Sequence, residues 1–345
     1  MCLRINRGAI QDKQELCSFV DLADDYRITI DAGAIDCVAS HGQNAKRTIR
    51  PRVVDSPTCL VFSRSSRVAT RGVYTEIPLI VLANTPMNEG KLLRDRLRAG
   101  STCLGTFNSS SDPCITELLC GSGYEFIVID AEHGALNIET VQACIMAAKG
   151  SGTVPLIRVP NSDEAYIKWV LDAGAGGIVV PQVQSAEDVE RAVSACLYPP
   201  RGTRGFGPRR PSDYERNYEE VVRTANDHIV VIAQIEIVNA VNDIERIVAV
   251  PDLAAIIIGP GDLSVALGAA FDKKHPTVLE AIDRVKSTAL AANMPVGMAG
   301  TSDPETAIGW LRQGFQVATL GNTNGMLMRA SRNFVDSVRR GVSEE

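Results

Sequence analysis

Two apolar runs in this chain end in acids rather than in turn residues. One is Val230-Val231-Ile232-Ala233-Gln234-Ile235-Glu236, and the other is Ala255-Ile256-Ile257-Ile258-Gly259-Pro260-Gly261-Asp262-Leu263-Ser264. Unbroken β-branched runs of this length mark strands buried on both faces of a parallel sheet. In an α/β barrel a polar residue at the carboxyl end of such a strand points into the mouth, where active sites lie. On successive strands, Glu236 and Asp262 would converge on one hard divalent cation, with Gly259-Pro260-Gly261 clearing space beside them. The plainer alternative makes Glu236 a rim carboxylate and Asp262 the cap of a helix beginning at Leu263. A metal held by only two carboxylates keeps most of its octahedron for water and substrate. That is the habit of magnesium, manganese or cobalt, not of structural zinc. A 2-oxo acid would chelate such an ion through its keto oxygen and one carboxylate oxygen. Polarising the keto group makes an α proton acidic and stabilises the resulting enolate. The amides around Gly261-Asp262, at a helix start, would hold the other carboxylate oxygen.

Other polar residues gather at strand ends. Asp130, Glu132 and His133 follow Phe126-Ile127-Val128-Ile129, Arg158 ends another run, and Gln182 ends a further one. Arg158 would place a second positive group at the enolate oxygen. His133, amid carboxylates that fix its tautomer, suits acid/base work. A structural histidine, and an Arg158 that merely pairs with Glu132 beneath the mouth, are the bland alternatives. His228 and His275 read as solvated, His41 falls in the N-terminal part, and Trp169 and Trp310 read as core. Four arginines in ten residues, Arg201, Arg204, Arg209 and Arg210, occupy a long loop; they would suit an anionic substrate or form a solvated basic surface between subunits.

The elements that must position these groups alternate regularly after residue 91. Strands are expected at 103–107, 126–130, 154–159, 177–182, 229–236, 254–259, 295–299 and 317–321. Between them lie helices with start signals at Asp112-Pro113, Asn137, Ser162-Asp163, Ser185 and Ser302-Asp303-Pro304. Gly121, Gly150, Gly174 and Gly314 stand where left-handed caps are wanted. Eight strands alternating with helices over about 250 residues is the arithmetic of a (β/α)8 TIM barrel. An open doubly wound sheet is disfavoured, because no GxGxxG follows the first strand.

Residues 1–86 read differently, as a weakly ordered N-terminal extension or a misassigned start, before a barrel at 87–345. Acids at Asp21, Asp24, Asp25, Asp31 and Asp36 give way to an Arg/Ser-rich stretch, and runs such as Leu60-Val61-Phe62 lack periodicity. A transit peptide is disfavoured by those acids, and a secretory signal by the lack of an apolar segment in Met1–Gln11. A formal net charge of −6 argues against nucleic acid as a partner. No run approaches a membrane span. Nine cysteines without a CxxC indicate reduced thiols and a cytoplasmic location rather than a disulfide framework.

Taken together, Asp130-Ala131-Glu132-His133-Gly134, Ile157-Arg158-Val159-Pro160, Val180-Pro181-Gln182-Val183, Tyr198-Pro199-Pro200-Arg201-Gly202-Thr203-Arg204-Gly205, Gln234-Ile235-Glu236 and Ile258-Gly259-Pro260-Gly261-Asp262 resemble the HpcH/HpaI aldolase family, from about Lys91 to Arg340. The resemblance implies a metal-dependent class II pyruvate aldolase, with Glu236 and Asp262 as ligands of a divalent metal, Mg2+ before Mn2+ or Co2+. It implies His133 as the acid/base residue, Arg158 as the enolate stabiliser, and Gln234, Asp262 and the Gly261 amide as contacts to the oxo acid. It also implies an acid at Asp172 that raises the basicity of the histidine. Asp172 ends a helix pointing away from its own mouth, so it would act only from a neighbouring subunit. Asp130, the closer acid, would instead contact the aldehyde. Hexamers of swapped dimers, exchanging the helix at 322–340, are the implied assembly. The expected partners are a small 2-oxo acid and an aldehyde. Decarboxylation of oxaloacetate, or macrophomate-synthase-like use of the same enolate, is the enzymatic alternative, and a non-catalytic binding barrel is the other.

Overall fold

The computed structural model describes residues 26–31, 34–39, 52–53, 59–62, 79–82 and 89–343. All eight expected strands form, each within two residues of its expected bounds. They are β1 (Cys103–Asn108), β2 (Phe126–Asp130), β3 (Val154–Arg158), β4 (Gly177–Val180), β5 (Val230–Ile235), β6 (Ala255–Ile258), β7 (Val296–Thr301) and β8 (Val317–Asn322). They pair in parallel in that order, and β8 returns to β1 through Val317–Cys103, so the sheet closes as a (β/α)8 barrel.

Burial on both faces explains the unbroken apolar strands. Phe126, Val128, Leu156, Val179, Val230, Ile232 and Ile257 fill the barrel, joined from below by Leu93 and Leu97 of the helix Glu89–Arg98. Their alternate neighbours, Ile127, Ile129, Ile157, Ile178, Val231 and Ile256, face outward into the layer shared with the helices. This two-residue phase fixes the site. Continuing the inward series on β2, β3 and β5 brings Asp130, Arg158, Gln234 and Glu236 to the inside at the carboxyl ends of their strands.

The helices begin where side-chain oxygens can satisfy their first amides. Cys114 N donates to Asp112 Oδ1 at 2.9 Å, Thr140 N to Asn137 Oδ1 at 2.8 Å, Ala165 N to Asp163 Oδ1 at 2.7 Å and Thr306 N to Asp303 Oδ2 at 2.9 Å. Gly150, Gly174 and Gly314 adopt the expected positive φ, but Gly121 does not: at φ −75° it continues the right-handed turn that ends its helix.

Two further expectations change. Trp169 is 53% exposed, because it falls on the solvent side of the helix Glu164–Asp172, whose inner face is Ile167, Val170 and Leu171. Trp310 is half-buried against the core, as expected. His228 is half-buried rather than solvated, and burial, with Lys91 nearby, holds its pKa below the ordinary value. The helix Thr323–Ser343 has no buried residue.

The chain divides into two units, Met1–Thr85 and Pro86–Glu345. In the first, Tyr26–Asp31 and Ala34–Ala39 form an antiparallel pair. Arg52–Val53, Cys59–Phe62 and Leu79–Leu82 form a second antiparallel sheet, so the run around Leu60 is a strand despite its lack of alternation. His41 lies outside the described residues. Among the described residues, no helix is long and apolar enough to cross a membrane, and Cys103, Cys114, Cys120, Cys144 and Cys196 form no disulfide.

Candidate active site

The mouth is built from the carboxyl ends of β1 to β6. Asp130, last residue of β2, is 3% exposed and chelates the guanidinium of Arg158, last residue of β3, through Nε at 2.9 Å and Nη2 at 2.7 Å. Asp130 also accepts from the amides of Glu132 and His133, at 3.3 and 3.2 Å, and from Ser109 Oγ at 3.4 Å. Burial alone would push its carboxyl up, but the bonds from Arg158 and His133 outweigh burial and hold it below the usual range. With its lone pairs so engaged, Asp130 is arranged to hold Arg158 in place. Arg158 reaches further: Nη1 lies 3.3 Å from Glu132 Oε2, and its Cζ sits 4.7 Å from the centroid of the Phe107 ring.

His133 follows on the same turn, exposed at the mouth, its Nε2 3.7 Å from Glu132 Oε2. The side chain of Glu132 is 7% exposed. Its Oε1 accepts from Gln182 Nε2 at 3.0 Å, and its Oε2 makes no hydrogen bond.

Glu236, just past the end of β5, is 4% exposed. Its Oε1 accepts from the Gln182 amide at 2.8 Å and its Oε2 from Gln234 Nε2. Burial raises its pKa above the ordinary carboxylate value; Asp262 and Glu132 add to this, and the bonds from Gln234 and Gln182 oppose it. A Cβ at Gly259 would come within 2.7 Å of Glu236 Oε2, whereas one at Gly261 would meet nothing within 4 Å. Gly259 is therefore needed to seat the acid, and Gly261 leaves the mouth open. β5 and β6 pair up to Ile235–Ile258, so Glu236 and Asp262 leave adjacent strands, Asp262 exposed in the first turn of the helix Pro260–Ala266.

This donor set fits a hard cation. Among the described residues no Lys, Arg or His pairs with Glu236 or Asp262, and Gln234 Oε1 is buried without a hydrogen bond. Nor, among the described residues, do three or more His, Cys, Asp or Glu gather as a zinc site requires. Two carboxylates and a polar amide in a mostly buried corner match an ion that keeps water and substrate in its shell.

Asp172 is not brought to this mouth. It ends the helix Glu164–Asp172, which runs back against the strands, and its Oδ1 is 2.8 Å from Arg204 Nη2. Burial raises its pKa, and Arg204 and Lys168 oppose that. Other arginines of the long loop also turn to internal partners: Arg201 to Asp227 and Asp252, and Arg210 to the Ala173 carbonyl at 2.6 Å. The loop follows the helix Ala186–Cys196, which descends to the amino-terminal end of the barrel, so these side chains do not line their own mouth. Glu132, Gln182, Ser109 and Phe107 join the site without having been given roles from sequence. Glu132, beside His133, and Gln182, at a strand end, carried a signal, but Ser109 and Phe107 carried none.

Residues 104–330 match the family model for HpcH/HpaI aldolase/citrate lyase. The chain belongs to this family. A 2-dehydro-3,6-dideoxy-6-sulfogluconate aldolase from Pseudomonas putida is 31% identical over 243 residues, which are 70% of this chain and 95% of that protein. An HpcH/HpaI aldolase from Desulfitobacterium hafniense, 32% identical, superposes with a TM-score of 0.68 over 72% of this chain and 96% of its own. Macrophomate synthase superposes with a TM-score of 0.68 at 27% identity, covering 73% of this chain and 90% of its own. As a member of the HpcH/HpaI family the protein is an aldolase-type enzyme, a carbon–carbon lyase acting on small molecules.

Proposed function

We propose that the protein is a metal-dependent class II aldolase that forms and cleaves 4-hydroxy-2-oxo acids through a pyruvate enolate. The observation that carries this reading is Glu236, a buried carboxylate with no cationic side-chain partner among the described residues, in the same mouth as Arg158 and His133. A divalent ion held by Glu236 and Asp262, Mg2+ first and Mn2+ or Co2+ in its place, would polarise the keto group of the bound oxo acid. Gln234, with its free Oε1, and the Gly261 amide orient the oxo acid beside Asp262. In cleavage His133 takes the proton of the 4-hydroxyl, the C3–C4 bond breaks, and the electron pair passes to the enolate while an aldehyde departs. Arg158, fixed by Asp130, donates to the enolate oxygen, and His133 returns the proton to C3.

Asp172 enters only through a second copy. The helix Thr323–Ser343 supports such an assembly: it buries nothing in its own chain and carries Leu327, Phe334, Val335, Val338 and Val342 exposed along one side. Exchange of this helix between two copies, with three such dimers forming a hexamer, covers that side. The cytoplasm is the compartment proposed, where thiols stay reduced.

The likeness to macrophomate synthase favours a second reading in the same chemistry, decarboxylation of oxaloacetate to the same enolate or its addition to an acceptor ring. Pyruvate release from a 4-hydroxy-2-oxo diacid and from oxaloacetate, each with and without EDTA, separates the two. A non-catalytic barrel would release no pyruvate from either, and absence of EDTA-sensitive turnover on both would overturn the proposal.

A further inference from the structure

β4 ends at Val180, and Pro181, which has no N–H, follows it. The first donor the chain can offer to the mouth on this side is therefore the Gln182 amide. Gln182 has φ +51°, a left-handed conformation that glycine takes freely and other residues adopt only at a steric cost. The torsion φ sets the angle between a residue's N–H and its Cα–Cβ bond. At this value the two point to different acids: the N–H to Glu236 Oε1 at 2.8 Å, and the side-chain amide to Glu132 Oε1 at 3.0 Å. Glu132 in turn lies 3.3 Å from Arg158 Nη1 and 3.7 Å from His133 Nε2. One strained residue thus spans the two halves of the mouth, the acid assigned to the cation and the acid beside the histidine and the arginine.

We infer that Gln182 is a positioning residue with two separable tasks. Its backbone aims Glu236, and its side chain holds Glu132 so that neither Arg158 nor His133 draws that acid away from the other. The inference rests on the aldolase reading for the meaning of the second task, but the first concerns metal affinity alone. The tasks separate by substitution, because glycine and asparagine tolerate the left-handed backbone while a β-branched residue does not. Glycine keeps the N–H and loses the amide, asparagine keeps the N–H with an amide one methylene too short, and valine must move the N–H.

The test is a Mn2+ titration of the full chain, alongside metal-activated release of pyruvate, for the parent and for Gln182→Gly, Gln182→Asn and Gln182→Val. Gly and Asn should bind Mn2+ within about two-fold of the parent while kcat falls about ten-fold with KM little changed, the size expected of a group that orients a catalytic residue. Val should weaken Mn2+ binding about ten-fold. Should Val lower the melting temperature so far that it is unfolded at the assay temperature, Gln182→Ala, with a milder preference for negative φ, is titrated in its place. The side-chain task is overturned if Gly and Asn turn over like the parent, and the backbone task if Val binds Mn2+ like the parent or if Gly loses as much affinity as Val. Failure of the aldolase reading would look different: the parent itself would release no pyruvate, while the ordering of Mn2+ affinities among the variants would still report on the backbone task.

Discussion

Glu236 is an acid that folding makes costly to ionise. Burial raises its pKa above the ordinary 4.5, Asp262 and Glu132 push the same way, and the bonds from Gln234 and Gln182 recover only part. From 4.5 up to that raised value the folded chain keeps a proton that the unfolded chain releases. Stability therefore falls as pH rises through this window, and above it the metal-free protein carries the full cost. Glu236→Gln removes it, and Gln234 can turn its unbonded Oε1 toward the new amide. Calorimetry of the metal-free variant at pH 7 should give a melting temperature about 2–4 °C above the parent for each ~1 kcal/mol relieved; a lower one would mean that the ionised acid stabilises the empty fold. Gly259→Ala should leave melting nearly unchanged yet weaken Mn2+ binding about ten-fold, because its Cβ would press on Glu236 Oε2. Arg158→Met strands Asp130 as a buried carboxylate, and urea unfolding at pH 7 should register a loss of about 3–5 kcal/mol. Asp130, Arg158 and Glu236 were legible from sequence because strand phase carries them inward at the mouth, and His133 and Asp262 because they closely follow strand ends. Gln182 was legible as a mouth residue but its bridging part was not, since that depends on a left-handed φ that a glutamine does not advertise. Asp130 was legible as a site residue, but its engagement with Arg158 needed the distance between neighbouring strands.

The strands could be read to within two residues because each is apolar on both faces, and most helix starts because a carboxylate or amide oxygen sits at the first free N–H. What local pattern misses is which face of a helix meets the barrel. Trp169 has the side chain of a core residue and the position of a surface one. The arginine loop is the same lesson in charge. Its composition suits an anion, but the preceding helix delivers it to the end opposite the mouth, where Asp172, Asp227 and Asp252 take up its guanidinium groups. The helix Thr323–Ser343 is the element with most left to bury. Phe334→Asp, on its exposed apolar side, should shift the mass measured by light scattering from that of the proposed hexamer toward smaller species, and an unchanged mass would remove the helix from the assembly.

At the scale of the whole chain, the family match and the mouth both lie within Pro86–Glu345. The first unit contributes no residue to the proposed chemistry, so a chain beginning at Met87 should bind Mn2+ and release pyruvate with the parent's kcat; a loss of either would give residues 1–86 a part in the activity. The closed barrel explains how acids 26 residues apart in sequence come to one corner: β5 and β6 are neighbours in register, and Gly259 lets Glu236 settle against the second of them. The claim on which the account turns is that these two acids share a single ion. Titration of the metal-free chain with Mn2+, followed by electron paramagnetic resonance, measures it directly. One site per chain is predicted, lost in Glu236→Gln and equally in Asp262→Asn; a site that survives either substitution at the parent's affinity would contradict it.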